Sequence, residues 1–199
     1  MPGGRIVLGQ DRRPTGVLVD AAMDAVRRHV PEPDRATRER RLLRAQDALV
    51  AVGLTAVHDM GVSPSTVELL EGLRAAGRLK LRTVLYLAGN EGLPRGLLER
   101  YPRGSRDPGD LVSIAGVKLV ADGALGSRGA ALLDDYADDP GNRGLLLLPV
   151  AELRERIERC ARAGLQPAVH AIGDRANKVV LDLYEERLRA DPGFAALRP

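Results

Sequence analysis

At 199 residues, with 44% hydrophobic and 29% charged residues, the sequence describes an ordinary globular chain long enough for one domain with a sizeable core. Thirty basic against 27 acidic residues leave a formal charge of +3, and aromatic residues at 3% offer no stacking platform, so no nucleic-acid partner is expected. The single cysteine, Cys160, excludes an intrachain disulfide and fits a reducing compartment; no apolar run approaches the roughly 20 residues of a membrane span, and no signal peptide is visible at MPGGRIVLGQ, so the expected location is the cytoplasm, away from membranes.

Taken in order, Arg5–Leu8 and Gly16–Val19 flank a polar, Pro-containing turn and read as a β-hairpin. A helix is expected over 20–29, stopped by Pro31 and Pro33, with His29 at its end. Residues 34–52 read as a long helix with an apolar stripe of Leu42, Leu43, Ala45, Leu49 and Val50, closed by Gly53. A strand over 54–58 runs into Asp59-Met60-Gly61, and Ser63-Pro64 is a cap and first-turn pair for a helix through about residue 76, closed by Gly77. Residues 81–87 form the next strand, 92–101 a short helix and 103–109 a loop rich in Gly, Pro and charge. Residues 114–121 form an apolar strand, and 122–148 are irregular. A stretch of that length inside a compact domain is usually functional or mobile. A helix over 150–163 capped by Gly164, a strand over 166–171 and a helix over 175–189 complete the chain.

Strands alternating with helical patterns are the mark of βα units in a parallel sheet with right-handed crossovers. The four strands from 54 onward cannot close an eight-stranded barrel, so the residues alone allow a small open α/β sheet or a piece of something larger. In either architecture, function collects at the carboxyl ends of strands. Three strands end in a polar residue followed by a loop with Gly and Asp: His58-Asp59, Lys118 leading to Asp122, and His170 leading to Asp174. Each also has a structural reading, since a strand-end histidine is often a satisfied group and Gly-Asp before a helix is an ordinary cap. Lys118 is one of only three lysines and sits among apolar neighbours, where its ammonium must reach solvent, find a partner or lose its charge. Alternation puts Gly116, Lys118 and Val120 on one face, and Val117, Leu119 and Ala121 on the other. No P-loop, dinucleotide fingerprint or Ser/His/Asp set is present.

Four segments, GLTAVHDM at 53–60, GVKLVADGALGSRGA at 116–130, PGNRGLL at 140–146 and VHAIGDRAN at 169–177, resemble amidohydrolase family 3. These are the metal-dependent hydrolases of the amidohydrolase superfamily related to D-aminoacylases, and the resemblance covers nearly the whole chain in order. It implies a (β/α)8 TIM-like barrel of which this chain supplies a part, about four parallel βα units (the second to fifth) after a hairpin. On that reading, 1–199 is a single, incomplete barrel domain, with the hairpin over 1–19 and the βα units over 20–199.

The resemblance further implies one or two divalent metals, commonly zinc, at the strand ends. It matches Lys118 to a strand lysine that is carboxylated on its amine to bridge two metals, and His170 to a histidine ligand. Carboxylation would turn a costly buried cation into an anion that the metal countercharges. A metal-bound hydroxide attacking a carbonyl then gives hydrolysis of a carbon–nitrogen bond, amide-type but not peptide, in a small-molecule substrate. Asp122 and Arg128 are expected to shape the substrate pocket, and His58 and Asp174 to support the ligands from behind.

The sequence departs from the family in having only three histidines, His29, His58 and His170, and no HxH pair. The general base is therefore expected to lie outside this chain, which looks truncated. The competing reading is a non-catalytic half-barrel that serves as a binding or assembly module, self-associating through its open edges.

Overall fold

A computed structural model describes residues 4–90 and 110–199. The short helix expected over 92–101 and the loop over 103–109 lie outside the described residues. Two compact units make up the chain: Met1–Glu32, Val120–Val150 and His170–Leu183 form one, and Pro33–Leu119, Ala151–Val169 and Tyr184–Pro199 the other.

The first unit opens with an antiparallel hairpin, β1 (Gly4–Leu8) and β2 (Pro14–Asp20). A 3-10 turn, Ala21–Met23, then leads into a single-turn α1, Asp24–Arg27, so the expected helix over 20–29 is shorter and begins tighter. Asp24 is the only acidic residue in its first turn, and no side chain caps its start, which leaves little to propagate a helix against the prolines downstream.

The second unit holds α2 (Arg35–Ala51), β3 (Ala56–Val62), α3 (Pro64–Ala75) and β4 (Arg82–Ala88), and shares with the first unit β5 (Val112–Val120), α4 (Val150–Arg162), β6 (Gln166–His170) and α5 (Asp174–Ala190). The four strands lie in one parallel sheet in the order β3-β4-β5-β6, as the crossover pattern requires. Met60 lies beside Tyr86 and Tyr86 beside Gly116, the β4–β5 register slipping by one residue between Leu85 and Tyr86. The strand expected over 54–58 in fact runs to Val62, because pairing with β4 continues through Met60 and resumes after an irregularity at Gly61.

Helix starts follow the local chemistry. The Asp34 carboxylate accepts from Thr37 N–H at 2.7 Å, and the Ser63 hydroxyl accepts from Thr66 N–H at 3.3 Å with Pro64 in the first turn. The apolar stripe of α2 behaves differently from expectation. Only Gln46 on that helix is fully buried, and Val50 is 40% exposed. Gln46 can be buried because its amide is satisfied: Oε1 accepts from Lys80 N–H at 2.7 Å and Nε2 donates to the Arg78 carbonyl at 3.3 Å. Leu42, Ala45 and Leu49 line a cavity of about 120 Å³ with Leu70, Leu79 and Leu81 instead of closing on them.

Thr83, Leu85 and Leu87 of β4, Val117 and Leu119 of β5, Val67, Leu70 and Leu73 of α3 and Leu153, Ile157 and Cys160 of α4 are all buried. Tyr184 and Phe194 meet edge-on at 5.8 Å, and the tyrosine hydroxyl donates to the Pro167 carbonyl at 3.0 Å.

Candidate metal centre

On β5 the alternation takes effect at the end of the strand. Val117, Leu119 and Ala121 are buried, whereas Lys118 and Val120 are partly exposed. Gly116 faces the Tyr86 ring so closely that a Cβ there would lie 2.8 Å from the ring and 2.1 Å from the Gln166 carbonyl. Tyr86 in turn donates to Gln166 Oε1 at 2.8 Å, and the exposed His58 ring stacks beside it at 6.2 Å. Lys118 has the parity of Gly116 and therefore stands on this face, its stem next to Gly61 of β3. Burial pushes the Lys118 ammonium below its ordinary range, and no acidic group pairs with it among the described residues.

The first unit gathers its polar groups around Asp122. This carboxylate is fully buried and is saturated by main-chain donors. Oδ1 accepts from Ile172 N–H at 3.0 Å, and Oδ2 accepts from Gly173 and Ala131 N–H, each at 2.8 Å. One side chain thus joins the exit of β5, the irregular segment 122–148 and the turn after β6. The two strand ends also meet directly, Ala121 N–H donating to the His170 carbonyl at 2.9 Å. His170 projects beside the same corner, its Nε2 3.4 Å from the Gly123 carbonyl and 3.6 Å from Asp122 Oδ1, with 30% of the side chain exposed.

The other expected site residues have plain positions. Asp174 Oδ1 accepts from Leu133 N–H at 2.9 Å and from Arg175 N–H at 2.8 Å, which anchors the start of α5 to the irregular segment. Arg128, at φ 55°, makes a bidentate pair with Asp138 at 3.2 and 2.9 Å. It lines a cavity of about 450 Å³ between the hairpin and the irregular segment, together with Arg5, Ser127, Asp139 and Asn142. The structure therefore brings Asp122 and His170 together. Lys118 and His58 belong to the second unit, and Arg128 lies at a separate cavity of the first.

As metal donors the residues present fit in part. A desolvated lysine with no acid partner suits carboxylation, and His170 has a ring nitrogen, Nδ1, that makes no hydrogen bond among the described residues. Asp122, chemically the obvious third donor, has both oxygens committed to amides. No group of three or more His, Cys, Asp or Glu that could hold an ion occurs among the described residues, and a catalytic zinc takes three protein ligands. Sequence reasoning missed Tyr86, Gln166 and the Gly123 carbonyl, because their roles come from cross-strand neighbours and carry no local pattern.

Four parallel strands of βα units with polar residues at their carboxyl ends make the α/β class of architecture in which sites gather at the strand ends. The sequence model described as "Amidohydrolase family" matches residues 1–197, and the chain belongs to that family. Protein LONG AFTER FAR-RED 3 of Arabidopsis thaliana is 32% identical over 197 residues, covering 92% of this chain and 33% of that protein. The putative amidohydrolase YtcJ of Bacillus subtilis is 31% identical over 189 residues, covering 92% and 35%. An uncharacterized metal-dependent hydrolase of Pyrococcus horikoshii superposes with a TM-score of 0.72 at 30% identity, over 92% of this chain and 38% of that one. The chain thus spans about a third of the length of the curated relatives it matches.

Proposed function

We propose that this chain carries part of the metal centre of a metal-dependent hydrolase that cleaves a carbon–nitrogen bond in a small amide-type substrate. The observation that carries the reading is Lys118, a half-buried lysine at a strand end with no acidic partner among the described residues. Family membership supports the same reading, as does the name of a relative, a putative amidohydrolase. Lys118, carboxylated on Nζ, and His170 are the ligands this chain contributes, and zinc is the expected ion. A divalent ion held there supplies Lewis acidity and lowers the pKa of a bound water. The residues of this chain bind and orient: Asp122 fixes the strand ends, and Arg128 lines a separate cavity, where its charge is balanced by Asp138. A single buried cysteine fits the cytoplasm as the working compartment.

The shortage of donors among the described residues favours a second reading, the non-catalytic half-barrel. Equilibrium dialysis against zinc and bicarbonate, followed by metal analysis, separates the two. The first reading expects the protein to retain more zinc than its K118A and H170A variants, and 13C-labelled bicarbonate to give a carbamate signal that K118A lacks. Equal retention by all three proteins supports the second. Turnover of small amides but not of matched esters tests the bond class.

A further inference from the structure

We infer that Asp122 is a positioning residue for His170: the corner it forms with the Gly123 carbonyl holds the neutral imidazole as its Nε2–H tautomer and so presents the Nδ1 lone pair as the donor atom. The inference rests on the reading of His170 as a ligand.

Among the described residues, two oxygens and no donor face His170 Nε2. One is the Gly123 carbonyl at 3.4 Å and the other is Asp122 Oδ1 at 3.6 Å. A carbonyl and a carboxylate both accept, so a lone pair on Nε2 would point at two like-signed oxygens, whereas a proton there is attracted by both. Nδ1 makes no hydrogen bond among the described residues and is the nitrogen left open. Which ring nitrogen is free to ligate is set by the hydrogen bond the other one makes.

Asp122 is suited to the task because it cannot turn away. It is fully buried, and the amides of Ala131, Ile172 and Gly173 hold both of its oxygens at 2.8–3.0 Å. Those amides come from the loop that follows β5 and from the turn that follows β6. The carboxylate therefore fixes its own position, the Gly123 peptide beside it and the segment that carries His170.

Long-range 1H–15N correlation on the 15N-labelled metal-free chain, at a pH where the rings are neutral, reads the tautomer directly. With three histidines in the sequence, an H170Q variant assigns the signals. The expected result is a protonated Nε2 and an unprotonated Nδ1 for His170; a protonated Nδ1 overturns the inference. In D122N, if its amide spectrum keeps native dispersion, an Nδ1–H population should appear and zinc affinity should fall about 10- to 100-fold. A folded D122N with an unchanged tautomer also overturns it, and if D122N fails to fold, the wild-type tautomer decides. Added zinc tests the underlying reading separately. Should His170 have the expected tautomer and yet zinc shift neither ring nitrogen, the ligand assignment fails while the positioning of the ring stands.

Discussion

Asp122 and Cys160 show how burial acts on single side chains in opposite ways. Asp122 is buried because three amides replace the water it gives up, and those amides have no other partner among the described residues. Asp122→Ala leaves two buried donors, Ala131 and Gly173 N–H, unsatisfied at about 1–3 kcal/mol each, while the part-buried Ile172 N–H costs less, so a loss of at least about 2 kcal/mol is expected in urea unfolding. A loss below about 1 kcal/mol would mean that water replaces the carboxylate at no cost. Cys160 has no such compensation. Burial pushes its thiol up to about 12, with Arg159 opposing the shift only weakly, so at pH 8 the folded protein should leave it unreacted toward Ellman's reagent, with full reaction on unfolding. Rapid labelling of the native chain at that pH would contradict the buried position on α4.

Among the elements, the irregular segment 122–148 is held by side chains as well as by scattered main-chain bonds, such as Leu132 N–H to the Arg143 carbonyl at 2.8 Å. Arg143 pairs with Asp135 at 2.6 Å, Arg128 with Asp138, and the Tyr136 hydroxyl donates to the Ala130 carbonyl at 3.0 Å. The Arg143 guanidinium, with help from Gly141 N–H, holds the Asp135 carboxyl below its ordinary range, and Arg128 does the same for Asp138. A depressed carboxyl contributes stability that is present above the unfolded value, near 4, and is lost as pH falls through the lower folded value. Both pairs are solvent-exposed, so the effect is local and screened by salt. Carboxyl titration by NMR should give midpoints for Asp135 and Asp138 below that of an unpaired aspartate, with loop amide shifts following the same curve. Midpoints at the ordinary value in low salt would show that the pairs do not persist in solution. The β3 strand is the opposite case, an edge whose His58, Asp59 and Met60 are all exposed.

For the molecule as a whole, that edge has a consequence. Met60 is 44% exposed, and Val52, Leu54 and Val50 near the start of the strand are 76%, 44% and 40% exposed. An uncovered parallel edge beside exposed apolar residues is a template for pairing with another chain. The purified chain is expected to self-associate, and Met60→Lys should shift sedimentation toward monomer by adding charge to the edge. A wild-type chain that stays monomeric at high concentration would rule out this association. No helix among the described residues is long and apolar enough to cross a membrane.

Much of the fold was legible in the sequence because the forces that set it are local. Asp34 and Ser63 cap helices three residues ahead, Gly53, Gly77 and Gly164 take left-handed backbone after helices, and hydrophobic runs of strand length alternate with helical ones. These features operate within one turn or one strand, and they determined the βα order and the hairpin. The motif around Lys118 and His170 also identified the family, because its spacing survives in the linear chain. Tertiary structure alone decided which partners the site residues meet. Asp122 finds its amide donors 9, 50 and 51 residues away, and Tyr86 finds Gln166 at a separation of 80. Helix α2 likewise buries Gln46 and not its apolar stripe, because the acceptor and donor that satisfy the amide come from Arg78 and Lys80, more than thirty residues on. A side chain's partners at such distances are fixed by how strands and turns converge in space, and no periodicity along the chain encodes that convergence.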